Sequence, residues 1–357
     1  MLFNYRYITH DIEKFQIWLD HLVKVVWCRN GGAYSLNLLH ADLKAVVKEI
    51  ANDGRIKTDY LDGPIKTIDA LFQNHLTAAQ RAQVSQWYDH NNDIEALCSN
   101  DPSKPLGTYA DIEAMHDDLA KNLNTFCKSL FIDVIHLSAV KRHLKTSIEE
   151  HYKDFVQVNR QGKCPYCGLF NLDGEHDLTR DAYDHFLPKS TYPFNSVNFR
   201  NLAPMCGKCN SGYKLQKDPF CHLDPIKRKT GNSRRRAFYS YAAVHPSIEV
   251  SMTINAQNPE DIQPEEIAMS LTAPGKQEEV ESWNEVFGIE KRYKARCCSE
   301  NDGKYWLIQA IDECKNERKT PDEIIQKIER NAAASPWAEA NFLKKPFLLA
   351  CKAAKII

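Results

Sequence analysis

The chain carries two Cys-x-x-Cys motifs, Cys164-Pro-Tyr-Cys167 and Cys206-Gly-Lys-Cys209, with 38 residues between them. Two close thiol pairs at this spacing form a four-cysteine zinc site, which pins both ends of the intervening segment to one point. Such a site is tetrahedral and closed. It leaves no position for a substrate, so its work is to hold the fold. In isolated zinc modules that work is on the order of 10 kcal/mol, which a short unit with little core of its own requires.

The segment that the cysteines frame is unusually polar at chosen places. It carries Asp184-His185-Phe-Leu-Pro-Lys189 and Asn201-Leu-Ala-Pro-Met205, and Asn210-Ser-Gly-Tyr-Lys214 follows the last cysteine directly. Adjacent Asp and His residues near a strand end point to opposite sides, so one can ligate a metal while the other faces a water. A hard divalent cation, Mg²⁺ or Mn²⁺, held by Asp184 and the amide oxygen of Asn210, would clamp a phosphate oxygen. Neutral His185 would then take a proton from the attacking water. Singly, each residue is ordinary: Asp-His pairs usually lie on surfaces, and Asn201 and Asn210 suit turns or caps. It is their combination that points to phosphodiester hydrolysis.

Charge supports a phosphate-binding surface in the same place. The formal net charge is only -1, yet residues 151 to 240 hold 15 Lys and Arg against 8 Asp and Glu. Four thiolates around zinc remove about two of those positive charges, and the region stays basic. Lys189, Lys214 and the run Lys227, Arg228, Lys229, Arg234, Arg235 and Arg236 are the candidate nucleic-acid contacts.

The flanks read differently. Residues 1–158 form a helical arm by their apolar periodicity, with a capping box at Thr77 to Gln80 and longer helices expected over about 109 to 126 and 128 to 157. A second Tyr-Asp-His, Tyr88-Asp89-His90, is placed on a helix surface as coincidence. Residues 159–240 form the zinc-bound core with its basic extension. In that core Asn171 to Gly174 separates two short strands, and the second runs into Asp184 and His185. Residues 241–357 form a mixed region, a hairpin from Ser247 to Ile254 and Ile267 to Thr272 followed by helices, one opened by the Thr320 to Glu323 capping box. The fold class is α+β, mainly helical. With no apolar run of about 18 residues and no signal-like start, the chain is expected in the cytoplasm with no membrane partner. The other eight cysteines, among them Cys28, Cys98, Cys127 and Cys351, are expected as core thiols.

The pattern Cys164-x-x-Cys167, Asp184-His185-x-x-Pro188, Asn201-Leu202 and Cys206-x-x-Cys209-Asn210, with Lys214 one turn on, resembles the HNH endonucleases of the ββα-metal (His-Me finger) fold. That resemblance implies that Asp184 and Asn210 are ligands of the catalytic metal and that His185 is the general base. It also implies that Asn201 cross-links the loop behind His185, and it favours DNA as the substrate. The last histidine of the family name is replaced here by Asn210, a change also found within the family. The helical flanks resemble those of HNH proteins from bacterial anti-phage systems of the Septu type, in which a nuclease pairs with an ATPase. An ATPase is therefore the implied protein partner. Two other readings use the same residues: a zinc-ribbon nucleic-acid-binding module without catalysis, which has no need of Asp184, His185 and Asn210, and an HNH nuclease that cuts RNA.

Overall fold

A computed structural model describes residues 1–53, 58–224 and 234–357. The basic residues Lys227, Arg228 and Lys229 lie outside the described residues. The first half of the chain is helical: α1 (Lys14–His21), α2 (Ala41–Asn52), α3 (Asp62–His75), α4 (Ala78–Asn92), α5 (Ile94–Cys98), α6 (Tyr109–Met115), α7 (Asp117–Ile132), α8 (Ser138–Leu144) and α9 (Ile148–Val158). Each helix buries one stripe. In α2 the stripe is Leu43, Val46, Val47 and Ile50; in α7 it is Leu119, Leu123, Phe126, Cys127 and Leu130. Side chains of this size, fully buried, contribute about 1.5–3 kcal/mol each.

The expected capping boxes at Thr77 and Thr320 are present. The two long helices are not, because polar caps cut them. His116 ends α6 and opens α7 by accepting a hydrogen bond from the Leu119 amide. Further on, Lys145 turns left-handed at φ 58° and Ser147 starts α9 with a capping box to Glu150. The chain start also departs from a helical arm. Residues before Asp11 are extended, and the amides of Leu2 and Tyr5 bond the carbonyls of Pro165 and Ser240. In the second Tyr-Asp-His, Tyr88 and His90 are buried rather than on a helix surface; only Asp89 faces out.

The central stretch folds as β1 (Tyr183–His185), β2 (Leu202–Pro204) and α10 (Lys208–Lys214), the last wound in wide π-type turns. The earlier strand expected before Asn171 amounts to a single bridge between Lys163 and Asn171. After it come β3 (Glu249–Ile254) and β4 (Ile267–Thr272), the expected antiparallel hairpin, then α11 (Gln277–Phe287), α12 (Ile289–Cys297), α13 (Gly303–Asn316), α14 (Pro321–Ala334) and α15 (Asn341–Ala353). Gly288, left-handed at φ 62°, separates α11 from α12. Among the described residues no single helix is long and apolar enough to cross a membrane.

Two hydrophobic cores meet at the central stretch. Tyr183, Phe194, Val197, Phe199 and Leu202 belong to the core of the helical half. Phe186, Leu187, Ala203, Met205 and the four motif cysteines belong to the core of the C-terminal half, together with Met1 to Phe3. The alternation along β2, Leu202 to one core and Ala203 to the other, is the period-two geometry of a strand packed on both faces. The Asp184–His185 pair therefore sits at the seam.

Candidate active site and metal centre

Cys164, Cys167, Cys206 and Cys209 are all buried, and their sulfur atoms lie within 4.8 Å of one another. The Cys167 and Cys206 sulfurs are 3.9 Å apart, close to the ~3.8 Å edge of a tetrahedron with Zn–S bonds of about 2.3 Å. The donor set could hold a metal such as zinc. The first knuckle turns back on itself through the Gly168 amide, which bonds the Cys164 carbonyl at 2.7 Å. Gly168 is left-handed at φ 67°, and a Cβ there would meet Leu2 at 2.5 Å, so both the turn and the packing need glycine.

Side chains from α11 and α12 brace the knuckles. Trp283 Nε1 donates to the Tyr166 carbonyl at 2.7 Å, and Tyr293 Oη donates to the Cys167 carbonyl at 2.9 Å. Arg292 donates to Cys209 Sγ at 3.3 Å, while its guanidinium lies 4.4 Å from the Tyr213 ring centre. A cation against a thiolate site offsets part of its negative charge. Hydrogen bonds from Cys164, then Cys206 and Cys209, together with Arg292, pull the Cys167 thiol well below its ordinary pKa.

The hairpin presents the polar pair. In the β1–β2 register Asp184 faces Ala203 and His185 faces Leu202. The loop from β1 to β2 is tied by Asn201, whose Oδ1 accepts from the Leu187 amide at 2.7 Å. Its Nδ2 donates to the carbonyls of Leu187 at 3.1 Å and Asn195 at 3.4 Å. So shaped, the loop delivers the Ser196 carbonyl to His185 Nε2 at 2.9 Å. A carbonyl can only accept, so Nε2 carries the proton and Nδ1 keeps its lone pair. The ring packs edge-on against Phe131 of α7, with centroids 4.6 Å apart. Burial first, then the nearby Lys189 ammonium, pushes the His185 pKa down to about 3, against the pull of the Ser196 carbonyl.

Asp184 is buried, and burial raises its pKa while Lys214 opposes the shift. Its Oδ2 lies 3.1 Å from Lys214 Nζ in an ion pair, yet the alignment is not that of a hydrogen bond, and Oδ2 accepts none. Lys214 differs from its expected role. It is only 1% exposed and donates to the His185 carbonyl at 2.8 Å, so it braces the pair from inside and does not face a nucleic acid.

Asp184, His185 and Asn210 line one open cavity of about 350 Å³, with Lys128, Phe131 and Ile132 of α7, Tyr183, Pro188, Lys189, Ser190, Leu215 and Gln216. Asn201 stands behind it. Asp184, with a carboxylate, and Asn210, with a half-buried amide, both line the cavity and carry the hard oxygen atoms that suit Mg²⁺ or Mn²⁺. Lys189 is half-buried, with its ammonium 4.8 Å from the Phe131 ring centre.

The basic run is a partial correction. Arg235 is buried and ion-paired with Glu285, so it belongs to the fold and is withdrawn from any phosphate. Arg234 donates to the Lys104 carbonyl at 3.1 Å, and Arg236 is exposed, 4.0 Å from Glu278. Three contributors went unnoticed in the sequence. Phe131 and Lys128 carry only the ordinary pattern of an amphipathic helix, and Ser196 acts through its carbonyl, for which a sequence has no signal.

Among curated proteins, the chain is similar to Septu protein PtuB of Bacillus thuringiensis, 50% identical over 48 residues, which cover 13% of this chain and 18% of that protein. It is also similar to Protein ea31 of Escherichia phage lambda, 42% identical over 65 residues, covering 18% of this chain and 20% of that protein. The chain thus matches about a fifth of the length of these curated relatives. No family model matches the chain, and no solved structure matches it.

Proposed function

We propose that this protein is a metal-dependent HNH endonuclease that hydrolyses DNA phosphodiester bonds, serving in anti-phage defence alongside an ATPase partner. The observation that carries the reading is the cavity itself: Asp184, His185 and Asn210 line one space, and the Ser196 carbonyl on His185 Nε2 leaves Nδ1 with its lone pair. A zinc-ribbon module that only binds would have no use for that convergence. The local similarity to a Septu protein supports the defence setting.

In this reading His185 Nδ1 accepts a proton from the attacking water. The Ser196 carbonyl and the Asn201-tied loop fix the ring's tautomer and direction. A general base works best with a pKa near the working pH. A phosphodiester seated beside Lys189 would neutralise the second cause of the depression at His185 and so raise its basicity as substrate arrives. Asp184 and Asn210 would hold the divalent ion, which when bound supplies Lewis-acid stabilisation of a phosphate oxygen. Lys214 opposes the rise that burial imposes on the Asp184 pKa. The cysteines take no part in the chemistry.

Supercoiled plasmid with purified protein is the direct test. Nicking is expected with Mg²⁺ or Mn²⁺, arrest with EDTA, and recovery on adding back Mg²⁺ while zinc stays bound. Asn210→Ala is expected to lose activity and regain part of it at raised Mn²⁺. Folded, zinc-loaded protein that binds DNA and never cuts it would leave the binding module as the correct reading.

A further inference from the structure

We infer that α7 supplies part of the substrate site: Lys128, with Lys189, forms a subsite for a backbone phosphate at the mouth of the Asp184–His185–Asn210 cavity. The substrate named here rests on the nuclease reading; the geometry does not. Lys128 lies near the C-terminal end of α7, some 56 residues before Asp184 in the chain, yet lines the same cavity.

Charge makes the first argument. Among the described residues lining the cavity the one carboxylate is Asp184, and Lys214 already stands beside it. Neither Lys128 nor Lys189 has an ion-pair partner among the described residues, and the charge of Lys128 works against that of Lys189. Two ammonium groups that repel each other on one rim, with the buried Asp184 beside Lys214 as the one nearby acid, are stabilised by an anion seated between them.

Fixation makes the second. The Lys189 ammonium rests on the face side of Phe131, and the same ring packs against the edge of His185. One side chain of α7 thus positions a phosphate-binding cation and the base together. Behind it Phe126, Cys127 and Leu130 are buried in the helical core, so the platform is rigid.

The lip makes the third. Ile132 and Leu215, both more than half exposed at 57% and 58%, flank the cavity. Apolar edges beside two cations fit a sugar–phosphate chain better than a small free anion.

The test uses the full chain. A labelled DNA duplex is titrated by fluorescence anisotropy over a range of salt with His185→Ala protein, and again with Lys128→Ala and Lys128→Arg added to it. Lys128→Ala is expected to weaken binding and reduce the slope of log affinity against log salt by about 0.9, the value for one lost phosphate contact, with Lys128→Arg restoring it. In the cutting protein Lys128→Ala is expected to raise KM more than it lowers kcat. An unchanged slope in folded Lys128→Ala protein overturns the subsite even if the wild type cuts DNA. Competition by inorganic phosphate as strong as that by duplex overturns it as well. If the slope responds but the wild type cuts nothing, the subsite stands and the nuclease reading falls.

Discussion

The cysteine knuckles and the cavity beside them share one stretch of chain, but they differ in how their polar groups are used. At the knuckles, Trp283 and Tyr293 each donate to a knuckle carbonyl and Arg292 donates to the Cys209 sulfur. At the cavity, Asp184 Oδ2 is buried beside Lys214 and accepts no hydrogen bond, and the side chains of His185 and Asn210 line the same space. Buried polar atoms in native cores nearly always have a hydrogen-bond partner, so an oxygen without one can take an ion or ligand. The two regions also lean on opposite halves of the molecule. The cysteines pack in the C-terminal core, braced by α11 and α12, whereas the cavity wall is closed by α7 from the helical half. The two regions thus divide the labour. One region ties its donors to the cysteine knuckles, and its neighbour leaves polar side chains open to a cavity.

The largest effect should come from breaking the first region. Cys164→Ser or Cys209→Ser removes one of four thiolates from a site worth on the order of 10 kcal/mol in isolated modules, so loss of folded protein is expected rather than a slower enzyme. Metal analysis of the wild type should find zinc, with chelation lowering the melting temperature. Folded and stable protein with the cysteine replaced would remove the distinction drawn here.

A smaller effect probes the second region through its support. His151 of α9 is bonded to Tyr183 Oη at 2.5 Å, next to Asp184 in the strand. Burial, and then the charge of His10, pushes its pKa down from 6.5 to about 3. A depressed folded pKa means that the unfolded chain binds the proton more readily. The stability it contributes is therefore fully present above the unfolded value and is lost as pH falls from about 6.5 towards 3, by at most about 1.4 kcal/mol per pH unit. Urea midpoints taken between about pH 7 and about pH 5 should fall more steeply for the wild type than for His151→Gln. Parallel profiles for the two proteins would show that His151 is not the group responsible.

The cysteine framework was legible because metal-ligand spacing is local and leaves a regular trace: four side chains, two short gaps, one geometry. The residues Asp184, His185 and Asn210 were legible as a group for the same reason, since one strand end and one helix start carry them. Lys214 and Arg235 were misplaced because a sequence shows that a charge is present but not which way it turns; each is buried against a carboxylate that lies 30 or more residues away along the chain. The long helices were overdrawn because apolar periodicity continues across His116 and Ser147, whose caps are short-range and easily outvoted. Phe131 and Lys128 were invisible, because their role depends on tertiary approach of α7 to the hairpin.

The central claim is that His185 acts on a water while its neighbours hold metal and phosphate, and one mutant addresses it. His185→Ala leaves the cysteines, Asp184, Asn210 and the rim lysines in place. Cleavage of plasmid in Mg²⁺ is expected to fall by about 10²- to 10⁴-fold, equivalent to about 3 to 5 kcal/mol of barrier. DNA affinity should stay within a factor of a few, and added Mn²⁺ should give no rescue. A His185→Ala protein that cuts at the wild-type rate would contradict the account.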